Sequence, residues 1–462
     1  MQETKILQQD HESSFHKHLS KFSCLMIGIG GLIGGGIFSV VGVISKFTGP
    51  YAYISYFITG ISTLFTVYSY QKLTSKWCSP GGEYTCVQGA LYGSKFQNLG
   101  LFTGILLIFG YISSMALYSY TFSVYCLLFF NIKYNFSLII IIVIFLNITF
   151  ILLNLKGVKE SSRIQNLLVL IKLLILVIFS LFGIRFALRD TNQLIINIGL
   201  DTKSINNISF MGILLGSSLI IVSYQGFQLI TYASFEMEDK EGGLKMMKWA
   251  LIISLIIYCF VALTAVALIG VSGLIGNAVH DAEIAIGNAA LSFLGRYGMM
   301  IIVLGALLST ASALNATLFG SSRLTYMMSI DKVLPKYLSK VSKNKVPYIS
   351  ILTIGFLSII LTISTGGALS IAGIAGFIFA QIFFIINFAN YKARKSTKSN
   401  PIIPIIGMTL TSLFFTILII YSFINIKYEM VNIVSFFLIE SISLFFIFHI
   451  NSKNNNEKKN TN

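Results

Sequence analysis

Closely spaced glycines interrupt the first apolar segment of this chain. Six of the eleven residues from Gly28 to Phe38 are glycine, and Gly34, Gly35 and Gly36 are consecutive. The surrounding apolar stretch, 22–47, is long enough to cross a bilayer. Glycine weakens a helix, and unwound backbone survives at membrane depth only where it lines a cavity. The segment therefore indicates either a broken helix at a ligand site or a small-residue surface for helix packing.

The composition is that of a protein that crosses a membrane many times. Hydrophobic residues occupy 55% of the 462 positions, charged residues occupy 11%, and the mean hydropathy is +0.80. Because a membrane-spanning helix needs about 20 apolar residues, we predict about twelve spans. The predicted fold class is an all-α polytopic membrane protein without a separate soluble domain.

The net charge of +16 indicates orientation in the membrane rather than nucleic-acid binding. Most Lys and Arg residues fall on one side of the predicted spans, for example in the segments 72–95, 156–163, 332–345 and 392–398. By the positive-inside rule that side is cytoplasmic. We therefore predict a multi-pass protein of the cell membrane with both termini in the cytoplasm: residues 1–21 form an N-terminal segment and 451–462 a disordered tail.

A second interruption lies in the predicted sixth span. Val222, Ser223, Tyr224, Gln225 and Gly226 place a polar, glycine-containing cluster within an apolar helix. Two broken helices five spans apart are typical of inverted-repeat transporters. We predict spans one to five in residues 22–187, their inverted repeat in 209–391, and two further helices in 402–450.

Several short motifs occur in a characteristic order along the chain. They are Gly30–Phe38, Gly49–Pro50, Ser79–Tyr84, Asn154–Lys159, Asn315 with Ser322–Tyr326, and Asp331–Pro335. Together they resemble the amino acid–polyamine–organocation (APC) permease superfamily. The resemblance implies the leucine-transporter (LeuT) fold, which is a 5+5 inverted repeat, here followed by two C-terminal helices.

The chain departs from the pattern of that superfamily at three places. Gln228 stands where a glutamate is common, Gln71 stands where an acid is common, and Glu236–Lys240 replaces the usual Asn-Pro after the sixth helix. The first departure leaves open whether transport is proton-coupled or an exchange.

The resemblance implies a substrate site between the two interruptions. The N–H groups of Gly34, Gly35 and Gly36 would bind the carboxylate of an amino acid, since the amides at a helix N-terminus favour an anion. The ammonium group of the amino acid would donate to carbonyls near Leu32 and Ile33 and to those of Val222 and Gln225. Selectivity would come from side chains of the predicted transmembrane helices 1, 3, 6, 8 and 10.

Lys172 lies in the middle of the fifth predicted span. An ionisable residue at this depth costs roughly 2.5–3.5 kcal/mol on insertion scales and is a functional hypothesis by default. In sodium-independent members of the superfamily, a lysine at the matching place fills the volume of a sodium ion beside the broken first helix. The resemblance therefore implies a coupling role for Lys172 and transport without sodium.

Other polar residues have more ordinary interpretations. We expect His280 and Asp281 to form a solvated pair, Asn147, Asn387 and Gln381 to form hydrogen bonds between helices, and Glu440 to have a local partner. The five cysteines lack the spacing of a zinc site, so the sequence predicts no metal and no cofactor.

The sequence favours a secondary transporter of neutral amino acids that works by alternating access. Polyamine or cationic amino acid exchange is an alternative, but a second buried ammonium needs a carboxylate, and helices 1, 3, 8 and 10 contain none in mid-span. An integral-membrane enzyme is not supported because the spans lack a cluster of His, Asp and Cys. A non-transporting nutrient sensor remains open, as do the amino acid carried and the oligomeric state.

Overall fold

The computed structural model describes residues 19–77, 81–156, 162–201, 209–232, 237–277, 280–342, 346–425, 432 and 434–446, without the side chains of 162–165. The predicted N-terminal segment and C-terminal tail lie almost entirely outside these ranges, as do parts of the motifs 79–84 and 154–159 and the residue at 236. The described part of the chain is helical and contains no β-strand.

The helices follow one another with short connections. They are α1 (Lys21–Leu32), α2 (Gly35–Thr48), α3 (Ala52–Lys76), α4 (Glu83–Leu91), α5 (Asn98–Phe129), α6 (Phe136–Leu155), α7 (Ser162–Ala187), α8 (Thr191–Asn197), α9 (Phe210–Ile220), α10 (Leu229–Tyr232), α11 (Lys240–Ile275), α12 (Ala285–Ile330), α13 (Tyr348–Thr365), α14 (Ala368–Lys392), α15 (Arg394–Thr397), α16 (Ile402–Ile424) and α17 (Val434–Phe446). Short 3-10 segments cover Gly49–Tyr51, Ile221–Tyr224, Asp281–Ile284 and Lys336–Ser339.

Ten helical segments of the described residues are long and apolar enough to cross a membrane. The first of them, Lys21–Lys76, contains both of the first two predicted spans, and the shorter apolar helix α17 lies where the twelfth was predicted. The prediction of an all-α, multi-pass membrane protein is confirmed.

The two interrupted helices run antiparallel beside each other. Gly28 lies against Ile230, Gly36 lies against Ser223, and Gly216 lies against Thr48, so one segment ascends where the other descends. This is the arrangement of an inverted repeat, in which equivalent helices enter the membrane from opposite sides. The exact boundaries of the two repeats remain a prediction.

The other long helices enclose this central pair. Helix α5 packs against α12 and α14, α3 packs against α11, and α1 packs against α7 and α11. The predicted hydrogen bonds between helices are present for two asparagines. Asn147 donates to the Ser119 hydroxyl at 2.8 Å, and the Ser69 hydroxyl donates to Asn387 at 2.7 Å. Helix α17 also contributes a polar contact, between Glu440 and Gln381.

A polar contact lies at one end of the bundle, and a packed 3-10 segment lies at the other. We call the end where α1 begins the Leu19 side; there the Glu238 N–H donates to the Leu19 carbonyl at 3.2 Å. We call the other end the Glu283 side, because the segment Asp281–Ile284 packs on the distal half of α2 there.

The expectation of a solvated His280–Asp281 pair is wrong. His280 stacks on Tyr134 with ring centroids 3.5 Å apart, and its Nδ1 lies 3.1 Å from a Glu283 oxygen. Asp281 instead accepts from the Asn277 N–H. The pairing differs because the 3-10 turn brings residues three apart, rather than adjacent ones, onto the same face.

Candidate functional site

The first helix is broken at Ile33 and Gly34. Helix α1 ends at Leu32 and α2 begins at Gly35, while Ile33 (ψ 81°) and Gly34 (φ −111°, ψ −136°) have non-helical backbone. The break is therefore slightly earlier than the glycine run alone suggested. Gly35 and Gly36 are not unwound but form the first turn of α2.

The second break extends from Ile221 to Gln228. A short 3-10 turn ends at Tyr224, Gln225 is extended, and Gly226 has φ +122°, a conformation that L side chains rarely adopt. A Cβ atom on Gly226 would lie 2.3 Å from the Gly31 carbonyl carbon. Glycine is required here both for its backbone freedom and because two backbones touch.

All ten residues predicted for the substrate site are buried at these two facing breaks. They are Leu32, Ile33, Gly34, Gly35, Gly36, Val222, Ser223, Tyr224, Gln225 and Gly226. The structure therefore brings together two sets of residues that are almost 190 positions apart in sequence. Their proximity is a geometric finding, whereas their role in binding remains a proposal.

The amino group of Lys172 fills the first break. The side chain is 1% exposed, and its Nζ donates to the Ile33 carbonyl at 2.6 Å and to the Gly30 carbonyl at 3.0 Å. The Ser309 hydroxyl donates to the same Ile33 carbonyl at 2.6 Å. Among the described residues no carboxylate forms an ion pair with Lys172. Backbone carbonyls at the broken helix therefore provide its polar environment.

Tyr258 of α11 joins the two breaks. Its hydroxyl reaches the Leu32 carbonyl in the first break and the Ser223 carbonyl, 3.0 Å away, in the second. A hydroxyl has one hydrogen, so the two carbonyls share a single donor. The relative position of the two unwound segments thus depends partly on one side chain of a third helix.

Several of the groups proposed for an amino acid ligand already have protein partners in this state. The carbonyls of Leu32 and Ile33 accept from the side chains described above, and the Gly34 N–H donates to the Leu32 carbonyl at 2.9 Å. Gly35 and Gly36 belong to the first helical turn, whose N–H groups have no intrahelical acceptor, and the capping residue has no side chain to supply one. The amides of these two glycines are the best-placed anion donors.

Helix α5 supplies a wall of the site that the sequence did not single out. The Tyr118 ring packs on Gly34, and its hydroxyl accepts from the Gln225 side chain. Thr121 packs on Gly35 and donates to the Ser39 hydroxyl at 2.9 Å. The sequence predicted a contribution from the third span, which is α5, but from no particular residue in it, because one tyrosine among 22 carries no distinguishing local signal.

A buried hydroxyl at the second break lies close to the first break. Ser223 is 1% exposed, and its Oγ interacts with the Tyr56 hydroxyl without a well-formed hydrogen bond among the described residues. Gly36 lies against this hydroxyl, on the first turn of α2. The Ser223 side chain therefore lies beside the N-terminus of α2, where the two breaks face each other.

Comparison with known proteins gives a consistent result. A protein-family model described as "Amino acid permease" matches residues 19–448. The chain is 32% identical to an uncharacterized protein of Methanocaldococcus jannaschii, over 70% of this chain and 71% of that protein.

Two further relatives are named for what they carry. The chain is 25% identical to a branched-chain amino acid permease of Bacillus subtilis, over 76% of this chain and 75% of that protein. It is also 25% identical to cationic amino acid transporter 4 of Arabidopsis thaliana, a vacuolar protein, over 76% of this chain and 59% of that protein. These relatives are transporters rather than enzymes.

Proposed function

The chain belongs to the amino acid permease family, and from that premise we propose that it is a sodium-independent secondary transporter of neutral amino acids. It would work by alternating access in the cell membrane. The observation that carries this proposal is the position of Lys172, whose ammonium group occupies the first helix break next to the candidate substrate site.

The two breaks offer complementary groups to an amino acid. The carboxylate would bind at the N-terminus of α2, where the amides of Gly35 and Gly36 and the positive end of the helix dipole meet. The ammonium would donate to carbonyls of the second break, such as those of Val222 and Gln225. The Ser223 hydroxyl, which lies against Gly36, would offer the ligand a further hydrogen bond.

The charge at the site supports a neutral substrate over a cationic one. The described residues at the two breaks include Lys172 but no Asp or Glu. A lysine or polyamine substrate would add a second ammonium group to a buried site that already contains one, and no carboxylate would offset its desolvation. The branched-chain permease among the relatives is consistent with an apolar substrate side chain.

Independence from sodium follows from the donors at the first break. A sodium ion binds backbone carbonyl oxygens, and Lys172 already donates to the Gly30 and Ile33 carbonyls. The Nζ atom is a compact cation that replaces an ion at this place. Movement of α1 would then break and remake these hydrogen bonds within the transport cycle.

The charge distribution supports the proposed orientation. Lys and Arg residues are concentrated in the connections that lie on the Leu19 side, which would therefore face the cytoplasm. In this structure the Glu238 N–H donates to the Leu19 carbonyl on that side, and the Asp281–Ile284 segment packs on α2 at the other. Alternating access would open and close these two ends in turn.

Flux measurements in liposomes test the proposal. The purified full-length protein is reconstituted and offered a panel of radiolabelled amino acids, with and without sodium and with and without a pH gradient. We expect uptake of one or more neutral amino acids that does not change when potassium replaces sodium. Protein-free liposomes give the background.

Three results would contradict the proposal. Uptake that requires sodium would remove the role given to Lys172. Uptake of lysine, arginine or polyamines alone would support a cationic exchanger. Binding of an amino acid without flux in either direction would support a nutrient sensor instead of a carrier.

A further inference from the structure

Glu83 is a buried carboxyl group on the Leu19 side of the bundle. It is the first residue of α4, outside the membrane-spanning segments, and its side chain is fully buried. Tyr111 donates to its Oε1 at 3.3 Å, which is a long hydrogen bond. Its Oε2 has no well-formed hydrogen bond among the described residues, although the Tyr232 hydroxyl and the Glu83 N–H also interact with the carboxyl group. All the donors to this buried carboxyl group are therefore uncharged.

Among the described residues, the groups that surround Glu83 supply no positive charge. Helix α3 contributes Tyr70, α5 contributes Tyr111, α10 contributes Tyr232, and α4 itself contributes Cys86. From α14 the neighbouring side chains are phenylalanine rings, which contact Tyr70 and Tyr111 edge to face. Burial without a cationic partner raises the pKa of Glu83 to about 7. Near neutral pH both the protonated and the ionised form of Glu83 are therefore populated in this structure.

The buried carboxyl group at the other end provides a contrast. Glu283 accepts from the Tyr120 hydroxyl at 2.7 Å and from the Ala368 N–H at 2.9 Å, and His280 lies 3.1 Å from it. The first two groups donate to the carboxyl group, and His280 is a potential cationic partner. Both ends of the bundle hold a buried glutamate, but of the two only Glu283 has a potential cationic partner among the described residues.

Side chains of α5 and α10 pack around Glu83 on the Leu19 side. Gly82, the preceding residue, lies against the Tyr232 ring of α10, and the Tyr232 hydroxyl lies 3.3 Å from that of Tyr111. Tyr111 also interacts with the Gln228 side chain, whose amide lies 3.3 Å from Gln225 at the second break. Hydrogen-bonding side chains therefore connect Glu83 to the candidate substrate site.

We propose that Glu83 is a proton-binding site and that closure of the Leu19 side around a substrate takes up a proton there. This inference rests on the proposed transport function. A proton from water forms an O–H bond with the carboxylate as α10 and α4 come together, and it returns to water when they separate. Because linkage is reciprocal, protonation then strengthens substrate binding, and substrate binding raises proton affinity. Glu83 would then provide a titratable carboxyl group in place of the glutamate that is common in the superfamily at the position of Gln228.

The pH dependence of substrate affinity tests this site. In the open state a hydrated glutamate has a pKa of about 4.3, so closure takes up a proton between that value and about 7. We expect the Kd for L-leucine, or for the neutral amino acid with the largest flux in the liposome panel, to rise up to about tenfold per pH unit from pH 5 to 7. Above that range it should level off. Calorimetry in buffers of different ionisation enthalpy should detect up to one proton bound per substrate.

Two variants of Glu83 and one control identify the residue. Glu83→Gln, a neutral isostere, should bind with a pH-independent Kd and take up no proton, whereas Glu83→Asp keeps a titratable group and should keep a pH dependence. Glu283→Gln is the matched control and should keep the pH dependence of the parent protein. Substrate binding by Glu83→Gln at one pH establishes that this variant is folded. If it binds nothing, the pH dependence of the Kd in the parent protein and in Glu83→Asp still tests the proton site.

The possible failures are distinguishable. If the parent protein binds an amino acid with the same affinity at every pH from 5 to 8, the proton site is wrong and the transport proposal stands. The same conclusion follows if Glu83→Gln keeps the full pH dependence. If no amino acid binds or moves under any condition, the transport proposal itself fails.

Discussion

Both helix breaks free backbone groups from helical hydrogen bonds, and these groups find different partners at the two breaks. At the first break the free carbonyls accept from Lys172, Tyr258 and Ser309, which belong to three other helices. At the second break, the Gly226 N–H donates to the Gln228 side chain at 2.6 Å, only two residues further along the chain. The first break is therefore tied to the surrounding bundle, while the second is satisfied largely by its own segment.

This difference has a mechanical consequence. Movement of α1 or α2 relative to α7 and α12 must rearrange the hydrogen bonds at Ile33. The turn at Gly226 can keep its local hydrogen bond while the whole segment moves. Tyr258 is the one described side chain that donates to both breaks. It therefore links the break that is held by other helices to the break that is held by its own segment.

The largest effect is expected where the breaks touch. Gly226→Ala places a methyl group against the Gly31 backbone and forces an L residue to φ +122°. Strain of this kind costs about 1–3 kcal/mol before the steric overlap is included. We expect a large loss of folded protein, measured as the monodisperse fraction in size-exclusion chromatography. Gly320→Ala is the control, since its methyl group would meet only a leucine side chain at 3.3 Å; equal yields of the two variants would contradict the close approach.

Replacing the cation should have the next largest effect. Lys172→Ala leaves the Gly30 carbonyl without this donor and an unfilled polar space in the first break. We expect transport in liposomes to fall by at least about tenfold, a loss equivalent to about 1.4 kcal/mol. Lys172→Arg should not restore it because a planar guanidinium does not fit the volume of a compact ion. Lys46→Ala, at an exposed lysine, is the control, and parental transport by Lys172→Ala would remove the proposed role.

A smaller effect is expected for the local support of the second break. Gln228→Leu removes the acceptor of the Gly226 N–H, and a buried unsatisfied group costs about 1–3 kcal/mol. We expect a lower thermal stability in detergent. Gln228→Glu keeps an acceptor oxygen and should recover part of the loss. If the leucine variant is as stable as the parent, the second break does not depend on this side chain.

The smallest effect is expected for the redundant donor at the first break. Ser309→Ala removes one of the two side-chain donors to the Ile33 carbonyl, and Lys172 still supplies the other. The expected cost is about 1 kcal/mol or less, with transport within about twofold of the parent. A loss as large as that of Lys172→Ala would mean that the hydroxyl, not the cation, holds the break.

Much of the architecture could be predicted because it depends on local properties. The apolar segments and the glycine clusters near residues 30–36 and 222–226 indicated a multi-pass bundle with two interrupted helices, and the structure has both interruptions. The position of the first break was less certain because three glycines permit unwinding anywhere among them. Packing decided that Gly35 and Gly36 remain helical and that Ile33 does not.

The partners of polar side chains were predicted less well. Lys172 was found because a charge in an apolar helix is conspicuous. Ser309, Tyr118 and Tyr258 were missed because serine and tyrosine are ordinary residues in such helices. Glu83 appeared as part of a loop motif, and nothing in that motif indicated that its carboxyl group would be fully buried.

The sequence by itself determined which segments enter the membrane, where their helices are weakest, and that one cation is buried with them. These properties follow from the transfer of each side chain out of water and from the missing side chain of glycine, neither of which requires a partner. Only the tertiary structure decided which donors fill each break and which buried glutamate has a potential cationic partner. Hydrogen bonds depend on distances of about 3 Å between residues that may be 276 positions apart, as Ile33 and Ser309 are.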